Sequence, residues 1–316
     1  MKKIICLFPG QGSQYVGMGK NFDDTESKNI LNAASESLGF DLQSMMLNGP
    51  EEELKKTEFT QPAILTHSYL IFKKLERALM EKELSISVVM GHSVGEYAAL
   101  VAAGSIDFES AVKAVHMRGK FMQEAVGLGD GAMLAILKVD IDDVKKACNL
   151  ISIDDSIVMP ANINSPGQIV VSGHASACER LQKWFAENYN SSYRIVPLKV
   201  SAPFHSSLMK PAETKLQQFF EQVEIRENQI PYIDNLTAKV NRTGTPGKTI
   251  ESKLIGQVSG AVLWSDSVTK FSPEENVFLE VGPGKTLMGI CRSIDRAYKV
   301  TSLDIDNLQG HLKEIL

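Results

Sequence analysis

The chain has 316 residues, of which 43% are hydrophobic and 22% charged, with a formal net charge of −5. That length allows one large domain or two unequal ones around a well-buried core, and the acidic balance argues against nucleic-acid binding. No apolar run approaches membrane-spanning length, and Cys6, Cys148, Cys178 and Cys291 form no Cys-x-x-Cys motif, so a reducing cytoplasm and no metal site are expected.

Ile4 to Phe8 reads as a strand that runs straight into Pro9-Gly10-Gln11-Gly12, which argues against a signal peptide. Ile86 to Met90 reads as a buried strand. Val94 to Ala103 is a small-residue helix closed by Gly104, and Asp107 to Val126 is a second helix. The middle of the chain then gives strand 132 to 139, helix 141 to 150, strands 157 to 163 and 168 to 172, helix 175 to 188 and strand 194 to 200. This β-α-β-β-α-β order is the ferredoxin-like pattern. It is bounded by Gly127-Leu128-Gly129-Asp130-Gly131 and Ser201-Ala202-Pro203. Val277 to Val281 is a late strand before Gly282-Pro283-Gly284 and a further helix. Alternation of strands and helices predicts a parallel sheet with helices on its faces. The expected organisation is a large α/β domain over residues 1–127 and 202–316, with a small ferredoxin-like subdomain over 128–201. A cleft between two such units is a natural substrate site.

Gly91-His92-Ser93-Val94-Gly95 fits the Gly-x-Ser-x-Gly pattern. Its context is a predicted strand before and a predicted helix after, the arrangement that presents a serine hydroxyl on a sharp turn. This points to an α/β-hydrolase-like core. Free N–H groups at the helix start favour developing negative charge there, and the Val94 N–H is the natural oxyanion donor. The alternative is that Ser93 merely caps the helix.

A nucleophilic serine needs a base. Of the six histidines, His67 lies in an apolar helix, His116 on a polar helix face, His174 in a turn and His311 in a polar tail. His92 adjoins Ser93, so its side chain is expected to point away. His205 follows a strand end and precedes a helix, the end of an α/β sheet where sites form.

In the helix 107 to 126, Ala111, Ala114, Val115, Phe121, Met122, Ala125 and Val126 share one face, and Arg118 falls near its centre. A guanidinium cannot shed its charge on burial and needs an anionic partner. That partner is either a core carboxylate such as Glu280 or the carboxylate of a bound substrate.

These motifs carry a resemblance over nearly the whole length. Phe8-Pro9-Gly10-Gln11-Gly12-Ser13-Gln14, Gly91-His92-Ser93-Val94-Gly95-Glu96, Met117-Arg118-Gly119, Asn162-Ile163-Asn164-Ser165-Pro166-Gly167-Gln168, Pro203-Phe204-His205-Ser206 and Glu280-Val281-Gly282-Pro283-Gly284 occur in order. The chain resembles the malonyl-CoA:acyl-carrier-protein transacylases of type II fatty acid synthesis and the related acyltransferases of polyketide synthases. The resemblance implies Ser93 as the acylated nucleophile, His205 as its base and the Gln257 backbone carbonyl as the group orienting that base. It implies N–H groups of Gln11 and Val94 as oxyanion donors and Arg118 as the ligand of the malonyl carboxylate. His92, Phe204, Asn162 and Gln168 are implied to lie at the substrate, the last two near the thioester arm. Malonyl-CoA is then the substrate and acyl carrier protein the partner, with no bound cofactor; apart from the resemblance, no membrane is expected and a monomer is the default. The sequence departs from the family at Ala261, where proline is commoner, and at Val94, where leucine is commoner. Phe204 before the histidine accords with malonyl use.

Two other readings remain open. A serine thioesterase would use the same turn with an acid such as Asp107, Asp130, Asp140 or Asp155. A trans-acting polyketide acyltransferase would differ only in its carrier protein. The turns Gly10 to Gly12 and Gly282 to Gly284 lack phosphate-loop spacing and are expected to line the site.

Overall fold

The computed structural model describes residues 3–127, 129–200, 202–303, 308, 310 and 311. Leu128 and Ser201, at the expected subdomain boundaries, lie outside these residues.

The strands in chain order are β1 (Lys3–Phe8), β2 (Ile86–Gly91), β3 (Gly131–Leu137), β4 (Val158–Ser165), β5 (Gln168–His174), β6 (Arg194–Pro197), β7 (Tyr232–Ile233), β8 (Val240–Asn241), β9 (Asn276–Val281) and β10 (Val300–Leu303). They form a six-stranded sheet, β10-β9-β1-β2-β7-β8, and a four-stranded sheet, β4-β5-β3-β6. In the large sheet every pairing is parallel except β7 with β8.

The apolar run of β1 is continuous because both faces of the sheet are covered. Ile4, Cys6 and Phe8 enter one core cluster, while Ile5 and Leu7 enter the cluster on the opposite face. The chain leaves β1 for β2 on one side and returns to β9 on the other. Strand order therefore reverses between β1 and β9, and the carboxyl end of β1, with β2 as its other neighbour, stands beside the place where α/β sheets hold ligands.

The four-stranded sheet is antiparallel throughout, with helices Ile141–Ile151 and Ala175–Asn188 supplying the β-α-β-β-α-β order. Alternation decides which face each strand residue serves. Leu134 and Ile136 pack under the two helices, whereas Met133 and Ala135 turn toward the main core. β4 is also tied to the large domain through the segment before helix Trp264–Val268: Ile163 N–H donates to the Val262 carbonyl at 2.9 Å, and Val262 N–H donates to the Ala161 carbonyl at 2.8 Å.

The observed helices start and stop within a few residues of the expected ones. Asp107 is the cap of helix Phe108–Glu124, its side chain accepting from Ser110 N–H. β6 ends at Pro197, so the expected strand to Val200 stops short. All four cysteines are free and buried. Among the described residues, no helix is long and apolar enough to cross a membrane.

Candidate active site

β2 ends at Gly91, and Ser93 forms the turn into helix Gly95–Ala102. Ser93 sits at φ 52°, a left-handed conformation that side chains rarely adopt and that marks strained functional positions. The two glycines of the motif have a steric cause. A Cβ on Gly91 would lie 2.0 Å from the Gly95 carbonyl, and a Cβ on Gly95 would lie 2.1 Å from the Phe8 carbonyl oxygen. The turn presses against β1 only because both positions lack a side chain. Asn235 braces it from the other side. Its Oδ1 accepts from Ser93 N–H at 2.7 Å and its Nδ2 donates to the Gly91 carbonyl at 2.6 Å.

Ser93 Oγ lies 2.7 Å from His205 Nε2. His205 Nδ1 faces the carbonyls of Gln257 at 2.8 Å and Gly260 at 3.2 Å. Carbonyls only accept, so Nδ1 carries the proton and Nε2 presents its lone pair to the serine hydroxyl. Burial first, and then the Arg118 charge, pushes the His205 imidazolium down to about 3. The ring is therefore neutral at ordinary pH and free to take a proton.

Arg118 is 1% exposed. Its Nη1 donates to Gln61 Oε1 at 2.9 Å. Its Nη2 donates to Gln257 Oε1 at 2.9 Å and to Ser93 Oγ at 3.2 Å. The guanidinium carbon stands 5.8 Å from the centre of the Tyr97 ring. The helix carrying Arg118 approaches the long helix Thr57–Glu81 closely at Gly119, where a Cβ would meet the Thr57 carbonyl at 2.7 Å. That approach brings Gln61 within reach. Nε has no partner among the described residues, and every observed acceptor is a neutral oxygen. Glu280, the core carboxylate weighed as a partner, instead accepts from the N–H groups of Leu287 and Met288 at 2.9 Å each. A buried guanidinium held by neutral oxygens keeps its charge without an anionic partner.

Gln11, Gln61, His92, Ser93, Val94, Arg118, Met122, Met133, Asn162, Leu198, Val200, Phe204 and His205 line an open cleft. Gln257 stands behind His205, fully buried. The backbone N–H groups of Gln11 and Val94 have no acceptor among the described residues. His92 turns from Ser93 toward the small subdomain. Its Nε2 meets Asn164 Oδ1 at 2.8 Å, and its ring centre lies 5.4 Å from that of Trp264.

Two expectations differ from what is seen. Gln168 stays out of the cleft because it opens β5 directly after a tight turn and pairs with Leu137, farther along β3 than the cleft residue Met133. The Gly282 to Gly284 turn does not line the cleft either: Gly282 packs on Pro9 and Ser68. His116 is half-buried, its Nδ1 donating to the Glu58 carbonyl at 2.8 Å.

Asn235, Gln61 and Glu96 were not singled out for roles by sequence reasoning. Glu96 is fully buried, and its Oε2 accepts from Gln257 Nε2 at 2.6 Å and Asn235 N–H at 3.1 Å. Burial, then the nearby Asp234, raises its carboxyl to about 8. A charged residue inside the apolar helix Gly95–Ala102 was the available signal, the same one that singled out Arg118. Among the described residues, no group of three or more His, Cys, Asp or Glu could hold a metal.

Residues 5–306 match the family described as acyl transferase domain. Malonyl CoA-acyl carrier protein transacylase of Bacillus subtilis (strain 168) is 40% identical over 306 residues, covering 96% of this chain and 94% of the relative. An acyl carrier protein S-malonyltransferase from Vibrio cholerae superposes with a TM-score of 0.90 at 38% identity, over 98% of this chain and 99% of that one. A malonyl-transacylase solved in complex with its type II PKS acyl-carrier protein gives 0.89 at 37%, covering 99% of each. With one family spanning the serine turn, the buried arginine and the histidine alike, the chain belongs to the acyl transferase domain family.

Proposed function

We infer that this acyltransferase moves a malonyl group from malonyl-CoA to the phosphopantetheine thiol of an acyl carrier protein, through a malonyl ester on Ser93. The observation that carries the reading is the Arg118 guanidinium, buried, without a carboxylate partner and 3.2 Å from Ser93 Oγ. The names of the Bacillus and Vibrio relatives support the same substrate, and the solved carrier-protein complex of a relative supports the same kind of partner.

His205 Nε2 takes the Ser93 proton as Oγ bonds to the thioester carbonyl carbon. The oxyanion is held by the Gln11 and Val94 N–H groups. The carbon–sulfur bond breaks, and the CoA sulfur leaves with the proton from the imidazolium. In the second half, the carrier-protein thiol gives its proton to His205 and attacks the ester carbonyl. Ser93 departs and recovers that proton. Arg118 pairs with the free malonyl carboxylate throughout, Phe204 walls the acyl group and Asn162 stands near the thioester arm. The Gln257 carbonyl keeps His205 in the tautomer the cycle needs. These side chains and the thioester supply all the chemistry, so no cofactor is required. Free cysteines accord with a cytoplasmic site of action.

Intact-mass measurement after mixing with malonyl-CoA tests the ester. One malonyl mass is expected on the parent and none on Ser93→Ala; an adduct on Ser93→Ala overturns the assignment. Rapid release of free malonate without a thiol acceptor would instead mark a thioesterase. The relative bound to a polyketide carrier protein favours a second reading, in which the acceptor is such a carrier. Comparing transfer rates to fatty acid and polyketide carrier proteins separates the two.

A further inference from the structure

The Gln257 side chain touches three parts of the site at once. Its Oε1 accepts from Arg118 Nη2 at 2.9 Å. Its Nε2 donates to the Ser93 carbonyl at 3.0 Å and to Glu96 Oε2 at 2.6 Å. An amide can sit either way round, and only its neighbours decide which. Reversed, it would set an N–H donor against the Arg118 guanidinium, which offers only donors, and an oxygen against two oxygens. The Glu96 contact is the shorter of the two that fix the Nε2 end. Oε2 accepts from Gln257 whether or not the carboxyl is ionised, so the restraint is a matter of geometry. The same oxygen accepts from Asn235 N–H, which anchors Glu96 beside the nucleophile turn. Glu96 Oε1 has no partner among the described residues, so a carboxamide fits in place of the carboxylate: its oxygen at the Oε2 position, its nitrogen where nothing is bonded now.

We propose that Glu96 is a positioning residue for acyl-group selectivity: it locks the Gln257 amide in the one orientation that holds the Arg118 guanidinium beside Ser93. The role rests on the reading of Arg118 as the carboxylate receptor. Glu96 touches no reacting atom. Its removal leaves the Nε2 end held by the longer Ser93 contact alone, loosens the seat of Arg118, and weakens the preference for an acyl group bearing a carboxylate.

The test compares malonyl- and acetyl-serine formation on the full-length protein by rapid-quench intact mass spectrometry, for the parent, Glu96→Ala, Glu96→Gln and Arg118→Ala. For Glu96→Ala the malonyl-to-acetyl ratio of kcat/KM is expected to fall roughly tenfold, the weight of one hydrogen bond to a charged group. Glu96→Gln should restore the ratio to within about threefold of the parent. Equal losses for both acyl groups in Glu96→Ala would mean a general structural role and overturn the proposal. So would a ratio in Glu96→Gln as low as in Glu96→Ala. If Glu96→Ala does not fold, Glu96→Leu takes its place with the same criterion. Arg118→Ala separates the two levels. A ratio unchanged by Arg118→Ala overturns the reading of Arg118 itself. A ratio lowered by Arg118→Ala but untouched by Glu96→Ala overturns only the role of Glu96.

Discussion

The guanidinium of Arg118 donates to the hydroxyl oxygen of Ser93 at 3.2 Å, so the serine proposed as nucleophile and the charge proposed to select its acyl group are in direct contact. That contact fixes the direction of the serine proton. With Nη2 occupying a lone pair of Oγ and the His205 Nε2 lone pair 2.7 Å away, the hydroxyl hydrogen points at the base. Replacing Arg118 by Lys keeps the charge but loses the fork that reaches Gln61 and Gln257 together. One lost charged hydrogen bond is worth roughly 1.5–3 kcal/mol, so kcat/KM for malonyl-CoA should fall about ten- to a hundredfold. Acetyl transfer should change far less. A Lys variant with parent-like malonyl kinetics would contradict the two-sided grip on the carboxylate.

The environment of His205 predicts the pH profile. A solvent-exposed imidazole would lose base function as pH falls through its ordinary value near 6.5. Here burial and the Arg118 charge disfavour the imidazolium and push it down to about 3. The group is neutral above its folded-state value, so the base remains competent from pH 7.5 down to about 5. The single-turnover acylation rate over that range should be flat. An inflection near 6.5 would show that His205 works in water rather than in the buried setting seen here. His205→Ala should lower acylation by about 10²–10⁴-fold at every pH, the usual weight of a general base.

The glycine at the helix start gives a stability prediction. A methyl group on Gly95 would stand 2.1 Å from the Phe8 carbonyl oxygen, and backbone on both sides leaves no flexible side chain to yield. Gly95→Ala should destabilise the fold by at least about 3 kcal/mol, the upper end for overpacking, read as a shift in the urea midpoint. Activity of the surviving folded fraction should also drop, because relief requires moving Ser93. A neutral Gly95→Ala would show that the turn and β1 can separate at little cost.

The parts of this site that were legible in the sequence are those whose chemistry is local. The strand-turn-helix context gave Ser93 away, and the helical period put Arg118 on a face where a charge does not belong. His205 showed by its place at the end of the ferredoxin-like segment. The alternating elements gave the two-sheet α/β fold because hydrophobic period is a local property. What stayed hidden was made by contacts between distant segments. Asn235 reaches back 142 and 144 positions to Ser93 and Gly91, and Gln61 reaches 57 to Arg118. Neither has a periodic or motif signature of its own. Gln168 failed for the converse reason. It belongs to a recognisable motif, but strand register carries it away from the cleft that Asn162 lines.

Asn235 supplies a test that separates holding the nucleophile from holding its selector. Its amide bridges the turn, taking Ser93 N–H and giving to the Gly91 carbonyl. These two backbone groups flank His92, immediately before Ser93 at φ 52°. Asn235→Ala removes both partners at once. Leaving each group unsatisfied costs about 1–3 kcal/mol, so a total loss of about 2–6 kcal/mol in folding stability is expected. The turn that aims Ser93 Oγ at His205 would relax, and acylation should slow for malonyl- and acetyl-CoA by the same factor, because Arg118 is held in place by Gln257 and Gln61 and not by the Asn235 amide. Glu96→Ala should instead change the ratio of the two. If Asn235→Ala altered the malonyl-to-acetyl ratio as strongly as Glu96→Ala, the nucleophile turn and the arginine cradle would be one mechanical unit, and the separate role of Glu96 would fall.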